Sequence, residues 1–368
     1  MAGSSFKLGK PFSSVNSIVS SNSTTTLLNT SDYYQYITGS NAHTIKLPDA
    51  TTMPKGSGFA IVNGTASNNI IVIDNGNNVL ETIGPGLSIE CAVDNNSTAN
   101  GIWMIIKGVG GSNFIVATGG TITTDGNYKV HTFTSSGTFQ ILSGNGIVDS
   151  LVVAGGGAGG ANNGAGGGAG GLVYTSPGAN YGVGSYTVTV GAGGTSSANS
   201  PGTNGANSVF DTITALGGGG GKNSTGSIGS SGGSGSGGAG TTGVFAGGSG
   251  TVGQGNNGGS SFDFAGGGGG GAGGVGGNSD ASHNAGNGGL GISNSITGSA
   301  VFYASGGGGA TTGATNGTAS PGGGGAGSTS GFNNATANTG GGGGGNYIGT
   351  PNAGNGGSGV VILRYQFQ

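Results

Sequence analysis

Over the first third of the chain, apolar and polar residues alternate across short distances. Runs rich in β-branched and aromatic residues fall at 33–38, 43–47, 58–63, 69–74, 78–83, 87–93 and 101–107. A period of two is the repeat of a strand with one buried face. Turn-forming residues separate the runs, among them Gly39-Ser40-Asn41, Pro48-Asp49, Asn75-Gly76-Asn77 and Gly84-Pro85-Gly86. Seven short strands at this spacing predict a small antiparallel β-sandwich, or a barrel, over residues 31–107. In the last run Trp103 and Ile105 fall on one face, with Met104 and Ile106 on the other. A strand apolar on both faces is expected at a covered edge or a subunit contact. Residues 1–30, rich in Ser, Thr and Asn with scattered Phe6, Phe12, Val15, Ile18 and Val19, read as an arm. Such an arm is either flexible or ordered against a partner.

Residues 108–121 are glycine-rich and read as a linker. The runs 128–133 and 138–142, separated by Ser135-Ser136-Gly137, predict a hairpin. Further strands are predicted at 147–154, 186–190 and 360–367. Between the outer two lies a different pattern. In 266–278 the residues other than glycine stand at Ala272, Val275 and Asn278, and spacings of three recur at Asn284, Asn287 and Leu290 and at Asn352, Asn355 and Ser358. Three fits neither the helical 3.6 nor the strand's 2. It fits the polyproline II helix, which has three residues per turn and no internal hydrogen bonds. Its backbone groups must find partners on neighbouring threads, and close approach requires missing side chains. The pattern therefore predicts a bundle of polyglycine II helices over 122–368, framed by short strands; a solvated linker is the plainer alternative.

Composition sharpens this division. Glycine accounts for 97 of 368 residues; 19 fall within the first 150, leaving 78 beyond. Only Asp211, Lys222, Asp263, Asp280 and Arg364 carry charge beyond residue 150. An aliphatic core cannot fill that region. The net charge is only −3, whereas disordered segments usually pair low hydrophobicity with high net charge. The overall class is mainly β and irregular.

Several functions are disfavoured. Phosphate backbones need basic patches, so nucleic acid is not an expected partner. No apolar run approaches a membrane span, and the first residues lack the apolar stretch of a signal peptide. Cys91 is the only cysteine, so disulfides do not staple the fold. His43, His131 and His283 share no ligand spacing, and no metal or cofactor is expected. The nearest phosphate-loop match, at 216–223, has Leu216 where glycine belongs and Asn223 where Ser or Thr must hold the metal. A glycosidase would need two carboxylates across a cleft, whereas Asp32, Asp49, Asp74 and Asp94 lie in turn-like sequence and Asp263 and Asp280 in separate loops. The chain reads as non-enzymatic.

Thr44-Ile-Lys-Leu-Pro-Asp-Ala-Thr51, Phe59-Ala-Ile-Val-Asn63 and Gly101-Ile-Trp103 resemble the small β domains of bacteriophage fibre proteins. His131-Thr-Phe, Ser136-Gly-Thr-Phe139, Leu151-Val-Val-Ala-Gly-Gly-Gly157 and Gly357-Ser-Gly-Val-Val-Ile-Leu-Arg-Tyr365 resemble the glycine-rich domain of phage tail fibres. The glycine runs also look like those of T-even-type tip adhesins, although the front domain departs from those adhesins. The resemblance implies a protein exposed on the virion, a homotrimer attached to other virion proteins through its N-terminal region. Its loops would bind an outer-membrane protein or surface glycan of the host. A head fibre or capsid decoration protein is the alternative, and a depolymerase spike a third class.

The residues themselves point to the loops. Phe245, Phe262, Phe264, Phe302, Tyr303, Phe332 and Tyr347 stand between glycine runs. Aromatic rings give rigid contact area at small entropic cost, while Asn, Ser and Gly give adaptable hydrogen bonding. These seven are the candidate receptor-binding residues; the competing role for each ring is capping a helix end as a small core.

Overall fold

A computed structural model describes residues 15–65, 68–108, 114–224, 228–347 and 352–367. Residues 1–14 and part of the predicted linker (109–113) lie outside that set. The chain forms two compact units: one spans residues 1–116 with 142–146, the other 117–141 and 147–367. Among the described residues there is no α-helix; the only helical turn is 3-10, at Ala50–Thr52.

The first unit contains β1 (Val15–Val19), β2 (Thr24–Thr26), β3 (Tyr34–Thr38), β4 (His43–Lys46), β5 (Gly58–Asn63), β6 (Ile70–Ile73), β7 (Val79–Ile83), β8 (Ser88–Asn95) and β9 (Ile102–Gly108). All seven strand runs expected over 31–107 are present. Their pairing is mixed, which corrects the expected antiparallel arrangement. One sheet has the order β1-β3-β5-β8-β9 and the other β2-β4-β6-β7. β1, β3 and β5 run parallel, as do β2, β4 and β6, and only the later pairs are antiparallel. The cause is that the first six strands alternate between the sheets. Each parallel pair is then joined through a strand of the opposite sheet, which supplies the crossover that parallel neighbours need. β1 and β2 belong to these sheets, so residues 15–26 are not a free arm.

Between the sheets Ile37, Ile45, Leu47, Phe59, Ile61, Ile70, Val72 and Ile89 are buried. Trp103 closes this core, its indole N–H donating to the Asn100 carbonyl at 2.9 Å. Ile105 packs against the same cluster, while Ile102, Met104 and Ile106 are exposed. The two faces of β9 thus divide as their alternation requires.

The second unit carries β10 (Val116–Thr118), β11 (Thr121–Asp125), β12 (Tyr128–Phe133), β13 (Gly137–Ser143), β14 (Gly146–Val153), β15 (Leu172–Tyr181), β16 (Gly184–Thr189), β17 (Ser208–Phe210), β18 (Ile213–Ala215), β19 (Ile292–Asn294), β20 (Val301–Tyr303) and β21 (Val360–Gln366). Two five-stranded sheets have the orders β11-β12-β21-β14-β15 and β10-β13-β16-β17-β18. β12 and β13 are therefore not a hairpin. Both edges of β12 are taken, by β11 and β21, so β13 joins the other sheet. Aromatic rings link the two sheets: Phe139 of β13 lies 5.1 Å from His131 of β12 and 6.0 Å from Tyr365 of β21, centroid to centroid.

The glycine region is a hydrogen-bonded lattice. In the buried thread 164–171, successive amides donate to different neighbours and every third amide returns to the same one. Gly166 and Ala169 donate to Gly267 and Gly270; Gly164, Gly167 and Gly170 to Asn346, Gly343 and Gly340; Ala165, Gly168 and Gly171 to Lys222, Gly219 and Leu216, all at 2.8–3.0 Å. The thread's carbonyls accept from three more threads, 154–160, 234–237 and 307–310. Six threads surround it, and the ring is closed. 154–160 bonds to 216–221 and to 343–346, 219 to 234, 235–238 to 267–270, 266–269 to 307–310, and 305–308 to 342–345. None of the glycines in 164–171 takes a positive φ, the sense of the left-handed polyproline II helix.

The sides of these threads leave no room for a methyl group. A Cβ on Gly166 would lie 2.0 Å from the Gly307 carbonyl oxygen, and one on Gly168 2.2 Å from that of Ser234. The run 266–277 is not one thread, however. It reverses at 272–274, with Gly271 donating to Gly274 and Gly268 to Gly277. A spacing of three persists through that reversal, which is why the sequence reads there as a single helix.

Candidate functional site

The threads end in two sets of chain reversals. At one end they pass into β14, β15 and β21. There Tyr303, Ala304, Ile296 and Leu172 form a buried cluster with Val130, Leu151, Val153 and Ile362. The other end, away from these strands, gathers the reversals near 161–163, 240–245, 261–265, 280–284, 311–316 and 328–334. Left-handed residues make several of these turns, with Asn162 and Asn163 at φ 62° and 52° and His283 at 60°.

Hydrogen bonds tie these reversals to one another. Asn163 N–H donates to the Tyr347 carbonyl at 2.9 Å, and Gly240 N–H to the Asn163 carbonyl at 3.0 Å. The Asp263 carboxylate accepts from Gly243 N–H at 2.8 Å, linking two loops. Asp280 closes its own turn, accepting from the amides of Ser282 and Asn284 and from the Asn284 side chain. The Asn284 side chain and these amides hold its carboxyl below the ordinary carboxylate range. Both acids are thus occupied as loop fasteners. Among the described residues, no three His, Cys, Asp or Glu side chains come together in a way that would hold a metal ion.

The seven candidate rings fall into two groups. Phe245, Phe262, Phe264, Phe332 and Tyr347 lie on the loop end. Phe264 and Phe332 are 48% and 58% exposed, whereas Phe245, Phe262 and Tyr347 are half-buried. Phe262 packs beside the His283 ring, centroids 6.4 Å apart. Phe302 and Tyr303 lie at the opposite end, in β20. Phe302 is exposed, but Tyr303 is 5% exposed and belongs to the buried cluster. Tyr303 is a core residue, removed from any contact surface because its strand turns that side chain inward.

The matched family covers most of this unit. A glycine-rich domain family model matches residues 130–366, from β12 to the end of β21. The chain belongs to the glycine-rich domain family. No curated protein matches the chain.

In this glycine-rich domain, asparagines do much of the work at the lattice edge, where a thread lacks a neighbour for some of its amides. Asn204 and Asn207, three apart, accept from Gly220 and Gly217 N–H at 2.8 Å. Asn284 and Asn287, again three apart, accept from Thr315 and Thr318 N–H at 3.2 and 2.8 Å. A side-chain amide oxygen stands in for a missing carbonyl, with the thread's own period. Sequence reasoning assigned asparagine to loop recognition; its spacing of three was the available clue to this second role. No helix among the described residues is long and apolar enough to cross a membrane.

Proposed function

We propose that the protein is a bacteriophage virion fibre protein whose glycine-rich domain holds loops against the host cell surface. One observation carries this reading: a cross-bonded lattice collects six or more chain reversals at a single end, and that end bears Phe245, Phe262, Phe264, Phe332 and Tyr347. Fixing loop ends on a rigid base lowers the ordering cost of binding, the same economy that antibody loops gain from their framework. The exposed Ile102, Met104 and Ile106 on β9 support a homotrimer assembled through the first unit. The host partner is an outer-membrane protein or a surface glycan, with other virion proteins bound near the N-terminal region.

The test exchanges residues 240–245 and 261–265 together for glycine-serine loops of equal length, on the virion. Adsorption to host cells is expected to fall while the melting temperature of the purified chain holds. Unchanged adsorption would overturn the reading in favour of a structural decoration.

A further inference from the structure

At the flank of the loop end, three adjacent threads form an open groove of about 320 Å³ lined by Ser196, Phe332, Asn334, Asn352, Ala353 and Asn355. Its size lies at the lower end of small-ligand pockets. None of its lining residues is charged.

The polar groups are fixed in orientation by the backbone beneath them. Asn355 Oδ1 accepts from Ser196 N–H at 2.8 Å, and Asn334 Oδ1 accepts from Asn355 N–H at 2.8 Å. A backbone N–H can only donate, so the oxygen of each side-chain amide must face inward. The Nδ2 group of each is then the free end, and among the described residues neither has an intramolecular partner. Asn352 is held the other way, its Nδ2 directed at the Ser196 carbonyl at 3.5 Å, which leaves its oxygen as an acceptor. Ser196 Oγ donates to the Ala353 carbonyl and so helps set the floor. Beside these groups stands Phe332, 58% exposed.

We propose that this groove binds a neutral saccharide. A pyranose ring offers an apolar C–H face and, around its edge, hydroxyl groups that both donate and accept. The C–H face suits the Phe332 ring, whose negative π face attracts polarised C–H groups. Neighbouring hydroxyls suit the outward Nδ2 donors of Asn334 and Asn355 and the Asn352 acceptor. The absence of charge disfavours phosphate or carboxylate ligands, which call for a cationic partner. Because the amides are already anchored, little side-chain entropy is lost on binding. The proposal rests on the adhesion reading for its biological role, naming a glycan rather than a protein as the receptor of that surface.

The experiment uses the full chain and a panel of methyl glycosides of glucose, galactose, mannose and N-acetylglucosamine. Saturation-transfer NMR reports sugar binding, and the side-chain amide resonances of Asn334 and Asn355 report where it occurs. At least one glycoside is expected to bind in the millimolar range and shift both amides. Phe332→Ala is expected to weaken it by about tenfold or more, the loss typical of a stacked aromatic anchor. Asn334→Asp keeps the inward acceptor for Asn355 N–H but removes the outward donor, so it should weaken binding while leaving the melting temperature unchanged. If no glycoside shifts the amides, or if binding survives both substitutions, the proposal is overturned. Wild-type chain labelling host cells in that case would leave the adhesion reading intact with a protein receptor. Conversely, glycoside binding at the groove without labelling of cells would uphold the groove and sink the adhesion reading.

Discussion

Gly167 sits at the centre of the lattice, and Gly167→Ala measures how strongly the six surrounding threads are held. The new Cβ would lie 2.2 Å from the Gly157 carbonyl oxygen and 2.7 Å from that of Ala158. Ordinary contact requires thread 154–160 to retreat by about 1 Å. Its bonds to the central thread run from Ala154 to Gly171, from Gly157 to Gly168 and from Gly160 to Ala165, at 2.9–3.0 Å. A shift of that size takes all three beyond hydrogen-bonding range. Relief by moving the whole thread is blocked, because Gly155, Ala158, Gly156 and Gly159 are bonded outward to Ala206, Thr203, Gly357 and Gly354. Each buried bond lost leaves groups without partners, at about 1–3 kcal/mol. The substitution should therefore cost at least about 3 kcal/mol, less the roughly 0.4–1 kcal/mol that alanine gains by stiffening the unfolded chain. For a unit of this size that lowers the melting temperature by about 5–10 °C. Gly331→Ala is the control: its Cβ would meet nothing closer than Ser328 Oγ at 3.7 Å, at a φ outside the left-handed region. It should be neutral or slightly stabilising. Calorimetric melts of the two variants decide the matter, and a Gly167→Ala protein melting within about 2 °C of the parent would refute the lattice.

Other substitutions and conditions probe the same framework. His131 is fully buried; its Nδ1–H donates to the Gly119 carbonyl at 2.7 Å, which leaves Nε2 to accept from the Tyr365 hydroxyl at 3.0 Å. Burial lowers its pKa, only partly offset by the Gly119 bond, so the unfolded chain binds the proton more readily. Stability should be full above pH of about 6.5 and decline as pH falls below it; His43, also lowered by burial, acts with the same sign, and a melting temperature flat from pH 7.5 to 5 would contradict both. Cys91 is 1% exposed and its thiol is pushed up to about 12 by burial, so a thiol reagent should label it only after denaturation. Tyr303→Ala should cost about 3 kcal/mol through the cavity it leaves, whereas Phe264→Ala should change stability by less than about 0.5 kcal/mol; thermal melts that reversed this order would show the two rings misplaced.

Local pattern was readable; long-range pairing was not. The strands of the first unit follow from alternation, and the split of Trp103 from Met104 across β9 needs only the strand's period. Nothing in 33–63 signals that neighbouring strands enter different sheets, because the turn residues look the same for a hairpin and for a crossing between sheets. The supposed hairpin at 128–142 failed because the partner of β12 is β21, at the far end of the chain. Spacing by three announced lateral bonding in the glycine region, yet thread ends inside 266–277 are invisible, since a glycine looks alike in a thread and in a bend. The candidate rings show the same limit. Phe302 and Tyr303 are adjacent in sequence, and only the inward turn of β20 makes one a core residue and leaves the other exposed. The groove around Phe332 joins residues from 196 to 355, a juxtaposition that no local reading supplies.

The pairing of β14 with β21 places Val153 opposite Val360. Everything from Ala154 to Gly359 is thus an excursion that departs and returns at one clamp. Tension on the polypeptide outside the clamp would be borne by the rungs between those two strands and would bypass the threads beyond them. A pull applied there would strain the sheet while the far loops kept their mutual spacing.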